Sequence, residues 1–121
     1  MTKGTYVDGF VLCVPKKNRA KYKKMADDGK KVWLRFGAVD YKECVLDEVV
    51  PFGVTFAKLA KPKAGEEVWF SFVVYKSKAH RAAVNKKVMA YFEKKYGKDM
   101  DKTMPFDAKR MAVAGFKVIV G

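Results

Sequence analysis

At 121 residues, half of them hydrophobic and 14% aromatic, the chain has the size and composition of a single domain, spanning residues 1–121, with its own core and no need of disulfides or metal; disorder is excluded. Its net charge of +13 draws anions to the surface, whether nucleic acid, acidic proteins or small phosphates and carboxylates. Met1 to Asp8 lacks the apolar segment of a signal peptide and no apolar run approaches the ~20 residues of a membrane span, so a cytoplasmic protein with no membrane partner is expected.

Tyr6 to Val14 reads as a strand ended by Pro15, with Phe10, Leu12 and Val14 on one face and Val7, Val11 and Cys13 on the other. Asp8 is its polar exception. From Lys16 to Phe36 the period changes to 3.6: Tyr22, Met25, Ala26, Gly29, Trp33 and Phe36 form an apolar stripe, and Gly37 suits the position beyond the helix end. The other faces carry nine basic residues, from Lys16 to Arg35, either a solvated surface or an anion-binding one.

Ala38 to Val45 is a second strand in which Asp40, Lys42 and Cys44 alternate with Tyr41, Glu43 and Val45. Pro51, Gly53, Pro62 and Gly65 make Leu46 to Gly65 a long connection with a short extended piece at Val54 to Phe56, suited to a lid or a dimer arm. Glu67 to Tyr75 has the continuous apolar run of a strand buried on both sides. Ser77 caps a helix that runs to Tyr96 and stops at Gly97, with His80, Val84, Val88, Phe92 and Tyr96 on its core stripe. A polar loop from Gly97 to Thr103 and the Pro105 turn lead to a last strand, Arg110 to Val120.

The order is β-α-β-β-α-β, an α+β, ferredoxin-like sandwich. Two helices cover one face of a four-stranded sheet, yet these strands are apolar on both faces, so a second copy is the economical cover and a homodimer is expected. The cysteines, Cys13 and Cys44, lie in apolar runs without C-x-x-C spacing, which predicts buried reduced thiols.

No dinucleotide fingerprint, P-loop, H-E-x-x-H or EF-hand loop is present, and a lone histidine cannot build a histidine-rich metal site, so neither metal nor cofactor is predicted. The remaining candidates are Asp8, Glu43, His80, Arg81, Asn85, Asp107 and Arg110. His80 lies in the first turn of its helix, where the dipole favours neutral imidazole: either a general base or a histidine bonded at the edge of the core. Arg81 and Asn85, four apart, share a helix face suited to holding a carboxylate or phosphate, as exposed polar residues also would. Glu43 is disfavoured in mid-strand unless paired or useful, and pairing with a partner subunit's sheet, at Arg110, would satisfy it. Arg110, where a loop becomes a strand, is either functional or part of a salt-bridged turn.

Tyr6-Val-Asp-Gly-Phe10, Val14-Pro15, Glu43-Cys44, Phe70-Ser71, Tyr75-Lys-Ser77, His80-Arg81, Asn85, Val88-Met89, Met104-Pro-Phe-Asp107, Lys109-Arg-Met111 and Gly115-Phe116 resemble the YbaA-like family of bacterial proteins, from Tyr6 to Val120. The resemblance implies a ferredoxin-like protomer of the dimeric α/β-barrel superfamily and no particular function. Phe72 stands where that family has tryptophan, and Ala114 where it has the first of two glycines.

The expected function is to bind or transform a small polar or anionic ligand in a cleft between sheet and helices; whether this is catalysis stays open. Glu43, His80, Asp107 and Arg110 would orient the ligand, His80 and Glu43 as the catalytic pair, with Phe10, Phe72 and Phe116 as walls and Phe106 closing the cleft. Nonspecific RNA or DNA association through the lysine-rich helices is the less favoured alternative, since exposed aromatics for base stacking are few. A ligand-free scaffold is the third.

Overall fold

A computed structural model of the chain describes residues 4–98 and 104–121. Its frame is β1, Tyr6–Pro15, whose period-two pattern gives it two working faces and two neighbours. On one side it pairs antiparallel with β3, Glu66–Tyr75, and on the other with β4, Ala112–Lys117. The edge strand β2, Asp40–Val45, pairs with β3 and completes a four-stranded antiparallel sheet in the order β2-β3-β1-β4. The chain is an α+β fold, and its sheet order is compatible with a ferredoxin-like one.

The helix α1, Arg19–Arg35, follows a 3₁₀ turn at Lys16–Asn18 and buries Tyr22, Ala26, Gly29 and Val32. The helix α3, Lys78–Tyr96, is capped by the Ser77 hydroxyl, which accepts the His80 N–H at 3.0 Å, and buries Val84, Val88 and Phe92. Both pack on the same sheet face, through two adjoining clusters. One gathers Val73, Tyr75, Val84 and Val88 with Val32 and Tyr41; the other gathers Leu12, Val14 and Trp69 with Tyr22 and Ala26.

Several expectations change on folding. In place of the extended piece expected at Val54 to Phe56, Phe56 opens a short helix, α2, Phe56–Ala60; the Thr55 hydroxyl accepts the Lys58 N–H, and Lys61 ends the helix in the left-handed conformation. Arg110 lies in a 3₁₀ turn, Ala108–Arg110, and β4 stops at Lys117. In the predicted loop, Gly97 and Lys98 are described and residues 99–103 lie outside the described residues.

Among the described residues, the face away from α1 and α3 is covered only at one end, where α2 crosses it and the Cys13 thiol donates to the Ala60 carbonyl. Phe70 and Phe116 remain exposed there, so β3 is not buried on both sides. Cys44 is exposed rather than buried for the same reason, and both cysteines are free. Gly9 and Gly115 serve close packing: a Cβ on Gly9 would stand 3.2 Å from the Phe116 ring, and one on Gly115 would run into the Tyr6 phenol.

Candidate functional site

Glu43 points from the edge strand toward α1, and among the described residues only neutral donors meet it. The Tyr22 hydroxyl, from α1, donates to Oε1 at 2.8 Å, and the Tyr41 hydroxyl, two residues away on the same strand face, donates to Oε2 at 2.6 Å. Ser71 is its partner across the ladder. Burial raises the Glu43 pKa above the usual carboxylate range, outweighing the hydrogen bonds from Tyr41, Tyr22 and Ser71 that favour the charged form. Burial, and then the Glu43 charge, pushes both tyrosines far upward, so they remain protonated donors.

Glu43 and Tyr41 line a cleft of about 800 Å³ between α1 and β2. Lys16, Lys17, Arg19, Lys23, Lys30 and Lys42 surround it, with Asp27 the one other acid of the lining. Trp69 forms part of the wall; it is 6% exposed, and its indole N–H has no acceptor among the described residues. The arrangement thus combines a cationic rim with a carboxyl of raised proton affinity.

A second polar cluster lies beneath α3. Asp8, 3% exposed, receives Arg81 in a two-point contact, Nε to Oδ2 and Nη2 to Oδ1, both at 3.0 Å, although the second is poorly aligned as a hydrogen bond. Asn85 donates to Asp8 Oδ2 at 3.3 Å, while its own Oδ1 accepts from the Tyr75 hydroxyl at 2.8 Å and the Trp33 indole at 3.1 Å. Arg81 also lies over the Tyr6 ring, 5.6 Å from its centroid.

The family described as "Protein of unknown function (DUF1428)" matches residues 5–108. The chain belongs to the DUF1428 family. The Escherichia coli (strain K12) protein titled "Uncharacterized protein YbaA" is 39% identical over 116 residues, covering 95% of this chain and 97% of its own. A Shigella flexneri protein of the same title matches to the same extent. Among solved structures, a de novo designed protein, Foldit4, aligns with a TM-score of 0.45 at 12% identity, covering 93% of this chain and 96% of its own.

In this DUF1428 chain the residues singled out by sequence fall into separate places. Glu43 faces the cleft. Asp8, Arg81 and Asn85 meet one another, so the carboxylate that Arg81 and Asn85 hold is the protein's own. His80 packs edge-on against Tyr75, and its Nδ1 accepts the Lys76 N–H at 3.0 Å. It does not meet Glu43: Tyr75 and Ser71 are four residues apart along β3, roughly 13 Å of strand.

Arg110 is spoken for within its own chain, where it grips Glu66 through two contacts of 2.9 Å and donates to the Lys61 carbonyl at 3.0 Å; it is not free to meet Glu43. Asp107 caps the 3₁₀ turn by accepting the Lys109 N–H. Phe106 packs edge-on against Tyr22, behind the cleft, and Phe10 bridges the two core clusters. Phe72 and Phe116 lie on the opposite face, because they sit one residue out of phase with the helix-facing positions of β3 and β4; they cannot line the cleft with Phe10.

Sequence reasoning placed Tyr22 in a core stripe and left Tyr41 and Trp69 without a role. The available signal was Tyr41-x-Glu43, which puts both side chains on one strand face. Among the described residues no helix is long and apolar enough to cross a membrane, and no cluster of three or more His, Cys, Asp or Glu residues could hold a metal.

Proposed function

We propose that the protein works as a homodimer of the dimeric α/β-barrel kind, its 121 residues acting as one unit, and that each protomer binds a small organic anion in the α1–β2 cleft and exchanges a proton with it through Glu43. The observation that carries this reading is the Glu43 carboxyl, held between two tyrosine hydroxyls inside a lysine-fringed cleft. A structural carboxylate in a chain of +13 would be expected to take a cation as partner, and cations surround this one without pairing with it among the described residues.

The chemistry follows from the parts. Lysines at the rim neutralise the incoming anion. Glu43, its proton affinity raised by burial, gives or takes a proton at the group that reaches the floor, while Tyr22 and Tyr41 hold its carboxyl in place. The dimer is supported by the apolar face bearing Phe70 and Phe116, which α1 and α3 leave open.

Native mass spectrometry of protein purified at low salt tests both halves. A dimer carrying one small anion per subunit, released with its identity intact and retained poorly by Glu43→Gln and by Lys23→Glu, is the expected result. A bare protein, or nucleic acid removed by modest salt with no small molecule beneath it, would overturn the ligand reading; a monomer at every concentration would overturn the dimer.

A further inference from the structure

Between β2 and α2 the chain leaves the sheet and presents Val49, Val50, Phe52 and Val54 to solvent, with Phe52 87% exposed. A phenylalanine so displayed, between Pro51 and Gly53, gains nothing from its own protomer. On the open sheet face lies a matching hollow of about 260 Å³, enclosed by Cys44, Val45, Leu46, Phe56, Val68 and Phe70. Only the Cys44 thiol gives this lining polar side-chain character. An apolar cavity of about 150 Å³ admits benzene, so this one has room for a phenyl ring.

Charge and area both favour a second copy of this chain as the occupant. Residues 46–57 contain Asp47 and Glu48 and no basic residue, in a chain whose net charge is +13, so the arm is an acidic, apolar segment on a basic protein. The receiving side carries Lys58, on α2. With about 150–250 Å² on each aromatic side chain, the exposed phenylalanines of arm and face together with the arm valines reach the order of 800 Å² that a stable interface takes from each partner.

We infer that Phe52 of each protomer seats in the α2 hollow of its partner, in a reciprocal exchange across a two-fold axis. The inference rests on the homodimer proposed above and adds the segment that crosses between copies. It makes the arm the element that selects the partner, and Phe52 its anchor.

The test is cross-linking of Phe52→Cys, in a Cys13→Ser background, with a short bismaleimide, beside sedimentation of the uncross-linked protein. The expected result is a covalent dimer that disappears when Cys44→Ser is added, together with at least a tenfold weaker dimer for Phe52→Asp and a retained dimer for Phe52→Leu. A dimer that sediments normally in Phe52→Asp and gives no interchain link would overturn the arm exchange while leaving the homodimer standing. A link confined within one chain would show that the hollow takes its own arm, and overturn it likewise. If the unsubstituted protein sediments as a monomer throughout, the homodimer fails and the exchange with it.

Discussion

Two carboxyls lie under the two long helices of this protein, and they are kept in opposite ways. Asp8, beneath α3, is closed over by the Arg81 guanidinium and by the Asn85 amide, whose oxygen is in turn held by Tyr75 and Trp33. Glu43, beneath α1, has only hydroxyl partners among the described residues, carries a raised pKa from burial, and faces a cleft. A buried carboxylate matched with a charge of its own is a strut, whereas one matched with neutral donors keeps its proton chemistry available.

The sharpest way to break that contrast is to remove the counter-charge from Asp8. Arg81→Ala leaves a carboxylate that is 3% exposed without its cation, and unfolding in urea should show a loss of about 3 kcal/mol. Replacing both partners, Asp8→Asn with Arg81→Met, should recover much of it. A loss below about 1 kcal/mol would place the pair with ordinary surface ion pairs.

Glu43 should respond in the other direction. Because its folded pKa lies above the unfolded one, the folded state holds the extra proton, and stability falls as pH rises from the unfolded value, about 4.3, through the folded value. Glu43→Gln should flatten that slope, each tenfold change in proton affinity being worth about 1.4 kcal/mol. Urea midpoints at pH 5 and pH 8 would show it, and an unchanged slope would mean that Glu43 is not the group titrating.

The smallest effect belongs to Glu66. The Arg110 hydrogen bond, ahead of the other influences on it, lowers its pKa, so its contribution is present above the ordinary glutamate value and is lost as pH falls through the folded one. Glu66→Gln should therefore remove a little acid sensitivity and leave neutral stability nearly unchanged. A large loss at neutral pH would make the Arg110 turn a structural anchor of the fold.

The elements with strong local signals were legible in the sequence. Ser77 and Gly97 bracket α3, and the alternation along β1 assigns Leu12 and Val14 to the core. The five residues of α2 are too few for a period to emerge, and its start rests on one hydroxyl, at Thr55. The candidate site was half legible. Glu43 stood out as a charge in mid-strand, but Tyr22 and Tyr41 read as core, because a buried phenol looks apolar until its hydroxyl finds a partner. The apolar walls were misplaced for a simpler reason: period two marks which residues share a face, and not which face the helices cover.

Gly115 shows how far a single hydrogen in place of a side chain can reach. The position is open to solvent, yet the phenol of Tyr6 occupies the space where a methyl group would stand. Tyr6 in turn supports the guanidinium that neutralises Asp8. Accessibility and tolerance to substitution therefore part company at this residue: an alanine on this exposed edge strand would have to displace the Tyr6 phenol, and the shift would be felt at the foot of α3.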